Sequence, residues 1–158
     1  MSEAASPAPF LLPQGIFRID REGTWRHEGQ EVTHPGVLGN LWANLRADER
    51  GHYLQVGPAR IPVEVEDAPL VVTRVEAEQG PSEGLRVHLS DGSEERIDAA
   101  GLWIGRNGAP YCRVRSGGLV ARFSVAAWLQ LADRVEEEPG GAPVLVLGSR
   151  RIRLAGGD

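Results

Sequence analysis

The feature that most constrains this chain is a change of hydrophobic period that occurs only twice. Elsewhere, apolar and polar residues alternate in short runs punctuated by glycine, the pattern of half-buried strands joined by tight turns. Ile16–Asp20 and Thr24–His27 flank Arg21-Glu22-Gly23 as one hairpin, and His52–Val56 and Arg60–Val65 flank Gly57-Pro58-Ala59 as another. Tyr111–Arg115 with Leu119–Arg122, and Val144–Leu147 with Arg151–Leu154, repeat the arrangement, the last pair joined by Gly148-Ser149-Arg150. Between the members of each set the spacing switches to that of a helix. Val37, Leu38, Leu41, Trp42 and Leu45 share one helical face, as do Trp128, Leu131, Ala132 and Val135.

Helix limits follow from local chemistry. His34 precedes Pro35 and is pushed out of the α region, so the first helix starts at the proline with Thr33 or His34 as its cap. The polar stretch Arg46–Gly51 is expected to end it, and Glu136–Gly141 to end the second. Ser124 is placed to cap the second helix.

Hairpin, helix, hairpin therefore occurs twice. The register supports a repeat of pattern: Arg18-Ile19 aligns with Arg113-Val114, Leu41 with Leu131, Leu45 with Val135, Leu54 with Leu145, and Arg60-Ile61 with Arg151-Ile152. Between the copies, Leu70–Ala77 and Leu85–Leu89 read as strands, Glu78–Glu83 as a connection, and Asp91-Gly92 as a turn returning through Glu94–Asp98. The expected fold is α+β: two similar hairpin-helix-hairpin halves with mainly antiparallel sheets. Residues 1–15 are expected to be a tail, 16–77 the first half, 78–100 a connecting hairpin and 101–158 the second half.

Composition removes several functions. The 158 residues carry 17 basic and 22 acidic side chains, a net charge of −5 that opposes binding to nucleic acid, where basic surface must displace counterions. Every basic residue is arginine, so lysine Schiff-base chemistry and a P-loop lysine are excluded. One cysteine, Cys112, leaves no internal disulfide and no cysteine-built zinc site. With no apolar stretch long enough to span a bilayer and no signal-like opening, the expectation is a cytoplasmic protein without membrane contact.

Candidate chemistry is sparse. His27, His34, His52 and His88 show no metal-ligand spacing, so no metal and no cofactor is expected. Gly105-Arg106-Asn107-Gly108 is a turn, because no helix follows it to complete a phosphate site. Cys112 fits a small buried hydrophobe, and Glu64 and Glu66 fit the exposed face of a strand. Trp42 and Trp128 lie on apolar helix faces, whereas Trp25 and Trp103 are expected to be partly exposed. Tyr111, Arg113, Arg115 and Arg122 form the densest grouping of arginine with an aromatic ring, a combination that stacks on rings and forks around carboxylates.

Several stretches also resemble a known family. Ile19-Asp20 through Gly23-Thr24-Trp25 and His27-Glu28-Gly29, Tyr53-Leu54-Gln55-Val56, Ile61 through Pro69, and Pro110-Tyr111 with Val114-Arg115 and Leu119–Arg122 are similar to the bacterial family called domain of unknown function 1285, DUF1285. The resemblance implies an α+β fold with repeated motifs and a signalling or regulatory role. The chain departs from the family's pattern at Gly57-Pro58-Ala59-Arg60 and at Val125.

Three functions compete. The first is a non-enzymatic binding or regulatory module with a groove between its halves, lined by Trp25, Asp67, Tyr111, Arg113, Arg115 and Arg122, for a small anionic ligand, a peptide or a protein partner. The second is a small enzyme using Asp67, Glu66 or a histidine as general base beside an arginine anchor. The third is a structural domain that associates with itself, a homo-oligomer formed through strand edges.

Overall fold

The computed structural model describes residues 16–78, 84–147 and 150–156. The expected tail, most of the Glu78–Glu83 connection and the Gly148-Ser149 turn lie outside them. The chain divides into two compact units, one through Asp67 and one from Ala68.

In the N-terminal unit the strands are β1 (Phe17–Ile19), β2 (Trp25–His27), β3 (Gln30–Glu31), β4 (Leu45–Asp48), β5 (Gly51–Val56) and β6 (Ala59–Val65), with helix α1 (Pro35–Asn44) between β3 and β4. They form one six-stranded sheet in the order β3-β2-β1-β6-β5-β4. Its neighbours are antiparallel except β1 and β6, which run parallel with Ile19 opposite Val65.

Helix α1 starts as its sequence requires: Pro35 leads, and the Nδ1 of His34 accepts the backbone N–H groups of Gly36 and Val37 at 3.1 and 3.3 Å. Its end differs from expectation. The helix stops at Asn44, and Leu45–Asp48 is not a polar loop but strand β4. Leu45 is the first residue of that strand, opposite Leu54, which in turn faces Ile61. All three are buried, so the apolar row that extends the helical stripe in sequence is used by the sheet instead.

Among the described residues of this unit, Asp20 is the buried acid. It closes the β1–β2 hairpin, accepting hydrogen bonds from the backbone of Glu22 (3.0 Å) and Thr24 (2.9 Å) and from Arg26 Nε (3.1 Å). Burial pushes its carboxyl up, but the bonds from Thr24, Arg26 and Glu22 together outweigh that and hold it below the ordinary range. A depressed pKa contributes stability above the unfolded value of about 3.9, and that contribution is lost as the pH falls through the folded value. Acidification below about pH 4 is therefore expected to destabilise this unit. Asp20→Asn should lower its stability at pH 7 and shrink the acid-dependent loss in a denaturation series; an undiminished loss would show that other carboxylates control it.

The C-terminal unit contains β7 (Leu70–Ala77), β8 (Leu85–Leu89), β9 (Glu94–Ile97), a 3₁₀ turn (Ala99–Gly101), β10 (Trp103–Ile104), β11 (Pro110–Val114), β12 (Leu119–Phe123), α2 (Val125–Ala132), β13 (Val135–Glu137), β14 (Pro143–Leu147), β15 (Arg150–Arg153) and β16 (Ala155–Gly156). A seven-stranded sheet has the order β9-β8-β7-β12-β11-β10-β16, and β13-β14-β15 form a separate three-stranded sheet. Ser124 Oγ caps α2 through Ala127 N at 3.1 Å. The helix packs on β7 and β12. Its end departs from expectation in the same way as that of α1: Val135 belongs to β13, and Glu136 and Glu137 continue a strand.

The two halves match residue by residue where the sequence register aligns them. Val135 faces Leu145, and Leu145 faces Ile152, the counterparts of Leu45, Leu54 and Ile61. Each half is thus a hairpin, a helix and a three-stranded antiparallel meander. They differ in how the meander joins the hairpin. In the first half β1 pairs directly with the last meander strand, β6; in the second, β10 lies between β11 and the terminal strand β16, with which it runs parallel. Among the described residues no helix is long and apolar enough to cross a membrane.

Candidate functional site

The arginine–aromatic grouping is brought together on three adjacent strands. Trp103 on β10 faces Tyr111 on β11, and Tyr111 faces Arg122 on β12, so the three lie in one cross-strand row. Arg113, two positions beyond Tyr111, shares its face of the strand. The rings of Trp103 and Tyr111 stack at 5.8 Å with 13° between their planes, and the Arg113 guanidinium lies 5.9 Å from the Trp103 ring centre.

The turn expected at Gly105–Gly108 supports this stack. Gly105 N–H bonds to Ala109 O at 2.8 Å, Gly108 N–H bonds back to Gly105 O at 2.9 Å, and Gly108 has φ +82°. Asn107 serves it twice: its Oδ1 accepts Ala109 N–H at 3.0 Å and its Nδ2 donates to the Tyr111 hydroxyl at 3.0 Å. The Tyr111 ring runs so close to Gly105 that a Cβ there would collide with its Cε1.

Beside the stack is a hollow of about 530 Å³, lined by residues between Glu95 and Gly117 and therefore wholly within the C-terminal unit. Trp103 and Arg113 form part of its wall, Glu95 to Asp98 another, and Ser116-Gly117 a third. The last wall is an unusual loop. Arg115 and Ser116 have φ of +55° and +56°, the left-handed region that non-glycine residues seldom occupy. Two acids hold it there. Both oxygens of Glu95 accept Arg115 N–H, at 3.1 and 2.9 Å, and Asp91 binds Arg115 Nη2 at 2.6 Å. Burial pushes the Asp91 carboxyl up, but hydrogen bonds from Ser93 and Arg115 leave it below the ordinary range. The loop in turn presents Gly117 O to Arg113 Nη1 at 3.4 Å.

The other expected site residues fare differently. Trp25 is not at the surface: it is 1% exposed, packed edge-on against Phe17 (6.2 Å) and Trp42 (5.4 Å) in the core of the N-terminal unit. Alternation on β2 turns it inward, and three large rings meeting there keep it from solvent. Asp67 is half-buried at the end of that unit. Its neighbour Glu66 is an ion-paired surface carboxylate, accepting Arg21 N–H at 3.2 Å with Arg21 Nε at 3.5 Å. Arg115 serves the loop through Asp91, and Arg122 is half-buried.

Cys112 lies beneath the hollow, 1% exposed; burial first, and then the charge of Glu95, push its thiol up to about 12, so it is a neutral thiol at pH 7. His34 is engaged as a helix cap, His27 stacks on Phe17 at 4.6 Å, and burial lowers the pKa of His52. Among the described residues no three histidine, cysteine or acidic side chains are arranged to hold a metal ion. Sequence reasoning missed Asp98, the acidic rim residue of the hollow; its only signal is its position at the end of the strand begun by Glu94, ahead of Ala99-Ala100-Gly101.

No protein-family model matches the chain. No curated protein matches it either. Among solved structures it is similar to a DUF1285 family protein from Silicibacter pomeroyi DSS-3, with 26% identity over 97% of this chain and 90% of that one and a TM-score of 0.72. A DUF1285 family protein from Shewanella baltica OS155 has the same fold at 22% identity, covering 75% of this chain and 91% of that one, with a TM-score of 0.64. The family likeness carried by the scattered sequence motifs thus extends to the fold of nearly the whole chain, which is a structural relative of the DUF1285 proteins.

Proposed function

We propose that the protein is a non-enzymatic binding module whose C-terminal unit recognises an anionic group in the hollow beside Trp103, with Arg113 as the anchor. One observation supports this above the others. In a chain with more acids than bases, most arginines pair with a carboxylate of the protein itself: Arg18 with Glu64, Arg26 with Asp20, Arg60 with Asp48, Arg115 with Asp91 and Arg153 with Glu138. Arg113 has no carboxylate within ion-pair distance among the described residues. It is exposed, with one weak bond to Gly117 O and the Trp103 ring beside it. A guanidinium fixed by a ring and a carbonyl keeps donors available for a carboxylate or phosphate.

The hollow also has the size of a small-molecule site, in the range of about 300–1,000 Å³. A thermal-shift panel of nucleotides, sugar phosphates, dicarboxylates, amino acids and acidic peptides tests the proposal. A ligand at a hundred times its Kd adds about 2.7 kcal/mol of stability. The expected result is a concentration-dependent rise in Tm with at least one anion, lost in Arg113→Gln while the unliganded Tm is kept. A response that Arg113→Gln leaves intact would remove Arg113 as the anchor, and a flat panel would remove the small-anion site.

A further inference from the structure

We infer that the ligand of this hollow is dipolar, carrying an ammonium group beside its anionic group as a free amino acid or a short peptide does. The inference rests on the binding-module proposal and adds the second charge. It follows from sorting the charged groups of the lining by what already occupies them. Arg96 donates through Nε to Glu78 at 2.5 Å, and both oxygens of Glu95 accept Arg115 N–H. Cys112 is a buried, neutral thiol. Two lining groups keep capacity for a ligand: the guanidinium of Arg113 and the second carboxylate oxygen of Asp98.

Asp98 is 70% exposed at its side chain. Its Oδ1 accepts Ala100 N–H at 2.9 Å as the cap of the 3₁₀ turn and lies 3.7 Å from Arg150 Nη2. Its other oxygen accepts no hydrogen bond among the described residues. A purely anionic ligand held by Arg113 would meet the like charges of Asp98 and Glu95 in the same hollow. An ammonium group on the ligand turns that repulsion into attraction and gives Asp98 a donor. The wall of the hollow also includes the indole of Trp103, an apolar surface suited to the hydrocarbon or ring of an amino-acid side chain.

The test is calorimetric titration of the full chain with four probes: L-phenylalanine, glycyl-L-phenylalanine, N-acetyl-L-phenylalanine and L-phenylalaninamide. The expected result is binding of one or both of the first two, with the acetylated and amidated probes each weaker by about tenfold or more. The tighter of the first two tells whether a free amino acid or a peptide is the source. Asp98→Asn, which retains a capping side chain, should abolish the preference for phenylalanine over its acetylated form and leave the melting curve unchanged. Equal binding of phenylalanine and its acetylated form would overturn the inference while the anion site stands. The dipolar ligand is likewise ruled out, and the anion site kept, if all four probes fail but a panel anion without an ammonium group, a dicarboxylate or a sugar phosphate, still gives an Arg113-dependent response. Failure of all four together with a flat panel would remove the binding-module proposal as well.

Discussion

Trp25→Ala is expected to cost the N-terminal unit about 3–5 kcal/mol, the range for removing a large aromatic side chain from a packed core. The indole is 1% exposed and is met edge-on by Phe17 and Trp42, at 80° and 81°, so no neighbour can rotate into the vacated space without leaving its own contacts. Because β1, β2 and α1 each contribute one of the three rings, the loss falls on the joint between hairpin and helix. Trp25→Phe separates packing from polarity. Trp25 Nε1 is buried without a hydrogen-bond partner among the described residues, so phenylalanine removes an unsatisfied donor while keeping a ring in place. Chemical denaturation should therefore rank wild type above or near Trp25→Phe, and both well above Trp25→Ala. A Trp25→Ala variant close to wild type would show that the three rings do not form the core of this unit.

Gly105→Ala is expected to cost about 1–3 kcal/mol through overpacking. The added methyl would stand against Tyr111 Cε1, with Cδ1 at 3.1 Å and Asn107 Oδ1 at 3.3 Å also crowding it. Neither neighbour is free to yield: the Tyr111 ring is stacked on Trp103 and its hydroxyl accepts from Asn107. Relief requires moving the tyrosine, which moves the indole that forms the wall of the hollow. The variant should thus be less stable and also lose any Arg113-dependent ligand response, whereas Gly39→Ala, on α1 with open space around it, should leave that response unaltered. A stable Gly105→Ala protein would mean that the stack is loose and does not define the site.

The acids around the hollow divide by what they hold. Glu95 and Asp91 come from β9 and the β8–β9 turn and both reach Arg115 beyond the end of β11, although β9 and β11 are not neighbours in the sheet. They stabilise two successive left-handed residues that would otherwise cost of order 1–3 kcal/mol each. Asp98 caps a short turn and pairs with Arg150 through one oxygen, Oδ1, while its second oxygen accepts no hydrogen bond among the described residues.

Much of this fold is legible in the amino-acid order alone. The β7 and β8 limits, the starts of both helices and the Asp91-Gly92 turn follow from period, proline and glycine, because these act within a few residues along the chain. The repeat is legible for the same reason: Leu45, Leu54 and Ile61 and their counterparts Val135, Leu145 and Ile152 keep their spacing in sequence as in the meanders. What the sequence left open was the partner of each surface. Leu45 and Val135 continue a helical stripe equally well as they begin a strand, and only pairing with Leu54 and Leu145 decides between the two. Trp25 sits on an alternating strand whose inward face could be known only once Phe17 and Trp42 were placed against it. Arg113 and Arg115 are indistinguishable in sequence, two arginines two positions apart. The fold brings Asp91 to one and a tryptophan ring to the other, and that long-range choice of neighbour decides which of them is spent on a carboxylate of the protein itself.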